Sequence, residues 1–287
     1  MKDGRFYKRT LTDYDLPKEA IRRVVEVKRR EWAAMQRYVG HQGCRMQFLA
    51  GELNDHATEP CGRCDFCSPE GALHAGYEQA TGVAAAEFLE NVVIEIQPKK
   101  LAGRSWADAR DRFEEYAFPY RLGELAHEPG RALSYWGEAG WGELVVQWKR
   151  AGKLDPQLVT VSAAAIRDRW KPSPAPEWVT FVPSLRKPRL VADFAEALAA
   201  ALQIPCVDLV RKVTANEPQK TMENAFHQCR NLDGSFAIGE GVRDRPVLLI
   251  DDAVDSGWTF AVIAALLRRA GAGAVFPFAL ASTTPGG

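Results

Sequence analysis

Val247-Leu248-Leu249-Ile250-Asp251-Asp252-Ala253-Val254-Asp255-Ser256-Gly257-Trp258-Thr259 decides how the carboxy-terminal part of this chain folds. Four apolar residues in a row read as a strand covered on both faces, the pattern of a parallel sheet. Two carboxylates emerge at its carboxyl end. A tight loop then enters a helix running through Phe260 to Arg269 and closed by Gly271. Open α/β sheets bind ligands where such a strand ends. Amide groups at the start of the helix, together with the hydroxyls of Ser256 and Thr259, suit a phosphate. A plainer use of Asp251 and Asp252, capping the next helix, is also open to these residues.

Upstream of that stretch, Lys171-Pro172-Ser173-Pro174-Ala175-Pro176 reads as a stiff linker, because alternating prolines lock φ and forbid a helix. A strand-like run, Trp178-Val179-Thr180-Phe181-Val182-Pro183, follows it, and then a helix from about Leu190 to Leu202. The thirteen residues quoted first resemble the phosphoribosyl-pyrophosphate motif of type I phosphoribosyltransferases. From Val179 to Ser282 the chain is similar to the ComF type in its order of parts. A Val-Pro loop and a helix come first. A variable segment with Gln219 and Asn231-Leu232-Asp233-Gly234-Ser235-Phe236 follows, and then the acidic loop.

That resemblance implies a type I phosphoribosyltransferase-like domain with a mainly parallel sheet. It implies that Asp251 and Asp252 hold the ribose 2′ and 3′ hydroxyls and that Asp255, Ser256, Gly257, Trp258 and Thr259 wrap the 5′-phosphate. Pro183, Ser184, Leu185 and Arg186 take the pyrophosphate loop, and the segment from Arg211 to Asn231 the flap. In such a reaction fixed carboxylates favour an oxocarbenium-like ribosyl cation, and Mg2+ bridges the pyrophosphate and the sugar hydroxyls. Asp255 either accepts a proton from the base or repels phosphate. Trp258, where the family usually has Ala, Gly or Lys, either stacks on a ligand or blocks it. No hood segment to select a nucleobase is visible, so the domain either turns over phosphoribosyl pyrophosphate, senses it or another phosphate ligand, or serves purely as a scaffold.

The other informative region is near the amino terminus. Sixteen residues separate Cys44 from Cys61, and two separate each of Cys61, Cys64 and Cys67. A tetrahedral metal needs four thiolates on one point, and this spacing lets a tight turn supply three while a distant cysteine closes the cage. Four thiolates leave no open position, so the expected Zn2+ is structural. His41 and His56 flank the ligands and are assigned surface or packing roles. Met35-Gln36-Arg37-Tyr38, Gly43-Cys44-Arg45 and Pro60-Cys61-Gly62-Arg63-Cys64-Asp65-Phe66-Cys67 resemble the zinc-binding subdomain of RecQ-type DNA helicases, over roughly residues 15 to 70. The resemblance implies a parent protein that unwinds DNA from 3′ to 5′ at the expense of ATP, with single-strand/duplex junctions as partner. No Gly-x4-Gly-Lys-[Ser/Thr] phosphate loop is present, so ATP is expected only in a motor that lies outside this chain.

Composition narrows the partners. The 37 basic and 37 acidic residues balance, so any contact with DNA must be local. No run is apolar enough for a membrane span, and Cys206 and Cys229 stand far apart, which fits a reducing cytoplasm. Between Leu16 and Val39, Ile21, Val24, Val25, Trp32, Met35 and Val39 recur at helical spacing, with arginines, lysines and glutamates on the other faces. That basic face either touches phosphates or is simply solvated.

Residues 78–170 read less clearly. Val92 to Ile96 alternates like a strand, and helices are expected near 106–117, 129–136 and 141–151. Trp136, Trp141 and Trp148 stand near helical spacing, which favours a core role over stacking on bases. The whole is expected to be multidomain α/β. A helical zinc-binding module with four cysteine ligands spans 1–75, a small helix-rich or winged-helix-like domain 76–170, the proline linker 171–177 and the phosphoribosyltransferase-like domain 178–287.

Overall fold

A computed structural model describes residues 2–3, 6–7, 17–55, 59–71, 76–90, 92, 94–184, 187–214 and 225–284. The chain divides into two compact units, Met1–Val83 and Ala84–Gly287. Among the described residues no helix is long and apolar enough to cross a membrane.

The first unit is helical. A two-residue pairing of β1 (Lys2–Asp3) with β2 (Phe6–Tyr7) precedes α1 (Lys18–Val39) and α2 (Arg45–Glu52). The expected long amphipathic helix is α1, yet neither helix buries a residue, and Val24, Trp32 and Met35 stay exposed. Among the described residues of this unit, Cys44 is the buried apolar side chain, 3% exposed. A unit with so little core must be held by something else.

α3 (Gln79–Glu90) begins before the boundary at Val83 and leads into the edge strand β3 (Ile94–Ile96) of the second unit. Ser105 caps α4 (Trp106–Arg112) through the Asp108 N–H at 3.2 Å, and the helix stops at the buried Phe113, earlier than the spacing suggests. Next come β4 (Gly130–Tyr135), α5 (Trp141–Ala151), which ends at Gly152 with φ +68°, and α6 (Pro156–Ala164), capped by Asp155. The remaining elements are β5 (Trp178–Phe181), α7 (Pro188–Leu202), β6 (Val210–Lys212), α8 (Ala225–Leu232), β7 (Phe236–Ile238), β8 (Val247–Val254), α9 (Trp258–Arg269) and β9 (Val275–Ser282).

Five strands make one sheet in the order β3-β4-β9-β8-β5, parallel except for β3; β6 and β7 form a separate antiparallel pair. The sheet is sandwiched. Strand alternation sends Val247 and Leu249 to the face covered by α8 and α9, and Leu248 and Ile250 to the face covered by α5, α6 and α7. All four are fully buried, and β9, flanked by β4 and β8, is buried along its whole length. This is the mixed α/β, mainly parallel architecture that the apolar run at 247–250 implies.

Two expectations change. Residues 130–135 form a strand rather than a helix: Gly130-Arg131-Ala132-Leu133-Ser134-Tyr135 is buried on both faces beside β9, which removes the alternation a strand usually shows. The sheet also runs across the proline segment. β3 and β4, placed by the sequence in a domain of their own, belong to the same sheet as the strands beyond residue 177, with β4 paired directly to β9. The segment is tied down at both ends. Trp170 lies 6.0 Å from Phe276 and 6.3 Å from Phe278, and the Glu177 N–H donates to the Pro246 carbonyl at 2.8 Å. Proline composition indicates stiffness, and here the stiff segment is anchored at both ends while most of its own residues stay exposed.

Candidate functional site

Each unit presents one site. In the first, Cys44 opens α2 while Cys61, Cys64 and Cys67 come from the following turn, where Gly62 takes φ +72°. One sulfur from each lies within 4.8 Å of the others. A zinc tetrahedron with bonds of about 2.3 Å would space its sulfurs by about 3.8 Å, so the donor set fits that ion.

Without a cation the four thiols cannot all ionise. The Cys61 N–H, donating to Cys44 Sγ at 3.3 Å, pulls Cys44 down. Burial opposes ionisation of Cys64, but the N–H groups of Arg45, Cys67 and Phe66 outweigh it and bring the thiol to about 6. The Gly62 N–H draws Cys67 down, yet burial and the Cys64 and Cys44 sulfurs push it up to about 12. A divalent cation at the centre removes that conflict.

Arg45 braces the knuckle. It donates to the Tyr38 and His41 carbonyls at 2.6 and 2.7 Å, closing the end of α1, and pairs with Asp65 between two zinc ligands at 3.2 Å. His41 packs on Phe48 with ring centres 5.1 Å apart, a packing role; His56 lies outside the described residues.

The second site sits where β8 ends. Asp251 and Asp252 are its fifth and sixth residues, and pleating points them to opposite faces. Asp252 meets α5, where Lys149 Nζ lies 2.7 Å from Asp252 Oδ2. Lys149 is itself placed: its ammonium lies 5.1 Å from the Trp136 ring centre, and its carbonyl accepts from Lys187 Nζ. Asp251 accepts the Asp252 N–H at 2.7 Å. Burial, and next the Asp252 charge, raise Asp251 well above the ordinary carboxylate range, against the weaker pull of Lys149 and Lys212.

The loop that follows forms a cradle. A cavity of about 270 Å³ is lined by Lys99, Tyr135, Asp255, Ser256, Gly257 and Thr284, among others. Gly257 has φ +78°, a left-handed turn that frees the first amides of α9. Asp255 accepts from Thr283 Oγ1 at 3.1 Å, which ties the loop to the end of β9. Trp258 neither stacks over the cradle nor fills it. It is 8% exposed, packs 5.9 Å from Phe113, and carries Lys99 Nζ 5.6 Å from its ring centre. Thr259 is half-buried at the start of α9. Ser184 accepts the Lys187 N–H at 3.3 Å before α7, whereas Leu185, Arg186 and, in the flap segment, Gln219 lie outside the described residues. A larger cavity of about 520 Å³, near the start of α5 with Trp141 and Leu144, contains none of these residues.

Residues 6–68 match the RecQ zinc-binding family. The matched segment contains all four cysteines and Arg45. No curated protein sequence matches the chain. Among solved structures, adenine phosphoribosyltransferases of Leishmania tarentolae and Leishmania donovani are similar at 20% and 24% identity, each with a TM-score of 0.31. The matches take in 44% and 45% of this chain and 69% and 54% of theirs.

Lys149, Lys99 and Thr283 are site residues that sequence reasoning did not find. Each comes from a segment remote from the acidic loop, and only the packing of α5, the course of the chain after β3 and the end of β9 bring them there.

Proposed function

We propose that this chain is the carboxy-terminal region of a RecQ-like 3′–5′ DNA helicase, in which a zinc-braced module engages DNA and the sheet unit binds a phosphorylated ribose ligand. The observation that supports it is the convergence of the four RecQ-type cysteines, sulfurs within 4.8 Å of one another, in a unit with almost no core of its own among the described residues. Such a module works as a rigid platform for basic side chains. On α1, Arg22, Lys28 and Arg37 pair with Glu19, Glu31 and Glu52 at 2.8 to 2.9 Å, which orders the basic groups along the helix. Single-strand/duplex junctions and a cytoplasmic site of action belong to the same proposal.

The test is fluorescence anisotropy of the zinc-loaded chain with a 3′-tailed duplex. The proposal expects binding whose log affinity falls with log salt at a slope of about −2 to −4, because each phosphate contact contributes roughly −0.9. No binding at low salt refutes DNA engagement.

A second reading, a phosphoribosyl-pyrophosphate-binding regulator or ComF-like transferase, draws on the cradle at Ser256 and Gly257. Release of pyrophosphate with any nucleobase would support transfer. The ion pair on Asp252 favours ligand binding over turnover, since the Lys149 ammonium offsets a carboxylate charge that would favour a ribosyl cation.

A further inference from the structure

The phosphoribosyl reading brings Mg2+ with it, and the donor set at the end of β8 can be tested against that ion. The carboxylate turned toward α5 already has a cation. The Lys149 ammonium sits 2.7 Å from Asp252 Oδ2, the distance of a charge-assisted hydrogen bond. The pair is not a loose surface contact. The Asp252 side chain is 18% exposed and that of Lys149 38%, and the Lys149 ammonium lies 5.1 Å from the Trp136 ring centre, which restrains it. The ring contact limits the lysine's rotamers, which lowers the usual entropic cost of an ion pair.

We propose that Lys149 is the resident counter-ion of the acidic pair, so that the site takes a phosphorylated ribose without a divalent cation on Asp252. This deepens the ligand-binding half of the proposed function and rests on it. An ammonium has three donors, and Asp252 uses one, leaving others for sugar hydroxyls or a phosphate oxygen. In chemical terms the lysine does for the sugar what a hydrated cation would do, but as a fixed monovalent donor. The raised proton affinity of Asp251, caused first by burial and next by the Asp252 charge, agrees with this, and the Lys149 ammonium offsets the charge of Asp252. Lys149 lies outside the acidic motif, on a helix reached only through the sheet.

The experiment compares the zinc-loaded wild-type chain with Lys149→Met, and with Lys149→Gln should the first variant lose its circular dichroism. Manganese binding is read by electron paramagnetic resonance. The variants should bind Mn2+ about tenfold more tightly or better than wild type, a change worth about 1.4 kcal/mol, and Asp252→Asn in the same background should abolish the gain. Equal manganese affinity in wild type and both variants overturns the proposal. In parallel, ribose 5-phosphate is titrated calorimetrically in buffer with and without Mg2+. Wild type should bind with less than about a twofold difference between the two, while the variants should become magnesium-dependent. A wild-type requirement for Mg2+ also overturns it. Absence of ribose 5-phosphate binding in every variant and buffer defeats the phosphoribosyl reading instead, and the manganese result separates that failure from the failure of the lysine assignment.

Discussion

Lys149 Nζ and Asp252 Oδ2 are 2.7 Å apart although the two residues are remote in sequence, and the contact joins the helix after β4 to the acidic end of β8. Asp251, the neighbouring carboxylate, has its proton affinity raised by burial and next by the Asp252 charge.

Asp251 therefore gives stability a pH dependence of known sign. Its folded-state affinity for protons exceeds the unfolded one, mainly through burial. Its contribution is complete below the ordinary aspartate range and is lost as pH rises toward its folded value. Asp251→Asn should raise the melting temperature at pH 8, and the benefit should vanish toward pH 4. Melting curves of the two proteins across pH that stay parallel would contradict this.

His127 has the opposite sign. It is 3% exposed, its Nδ1 faces the Glu128 carbonyl at 2.6 Å, and burial lowers it to about 4. Its contribution is present above pH 6.5 and lost as pH falls toward 4. The loss is on the order of 3 kcal/mol, since each tenfold change in proton affinity corresponds to about 1.4 kcal/mol. In His127→Gln that part of the acid sensitivity should disappear; chemical denaturation at neutral and at acid pH measures it.

Tyr116 secures the strand after α8. Its hydroxyl donates to the Phe236 carbonyl at 2.8 Å and accepts the Phe236 N–H at 2.6 Å, both buried. Tyr116→Phe strands two backbone groups and should cost about 1–3 kcal/mol. For a unit of this size that lowers the melting temperature by about 2–4 °C per kcal/mol. An unchanged melting point would show that the groups find other partners.

The amino-terminal module should depend on its metal. With Cys44 as its buried apolar residue among those described, loss of a ligand in Cys64→Ser should remove bound zinc and with it the helical signal of α1 and α2. Structural zinc contributes about 10 kcal/mol or more in small modules. Elemental analysis with circular dichroism reads both quantities, and full helicity without zinc would refute the dependence.

What is legible in the sequence follows from how locally each feature is encoded. The thirteen residues from Val247 to Thr259 contain a strand, a turn and a helix start, so the α/β fold can be read in one place. The cysteine spacing is equally self-contained. The motif Asn231-Leu232-Asp233-Gly234-Ser235-Phe236 is visible, but its use is not. The Asp233 carboxylate accepts the Glu115 and Tyr116 N–H groups at 2.8 and 3.0 Å, and Gly234, at φ +67°, gives room to Glu115. β4 misleads because burial on both faces erases the strand alternation, and the proline segment because stiffness says nothing about packing. Lys149 carries no local signal at all; only the docking of α5 on the sheet reveals it.

Ligand binding by the sheet unit stands or falls with the β8–α9 loop acting as a phosphate cradle. The decisive experiment is calorimetric titration of the zinc-loaded chain with phosphoribosyl pyrophosphate, with Gly257→Val, which cannot easily hold the left-handed turn, as the comparison. Ser256→Ala serves as a second comparison if the first variant loses its fold. We expect one-to-one binding by the wild-type chain, weakened about tenfold or more in the loop variants, a loss of about 1.4 kcal/mol. No heat with the wild-type chain, or equal affinity in all three proteins, would rule the cradle out.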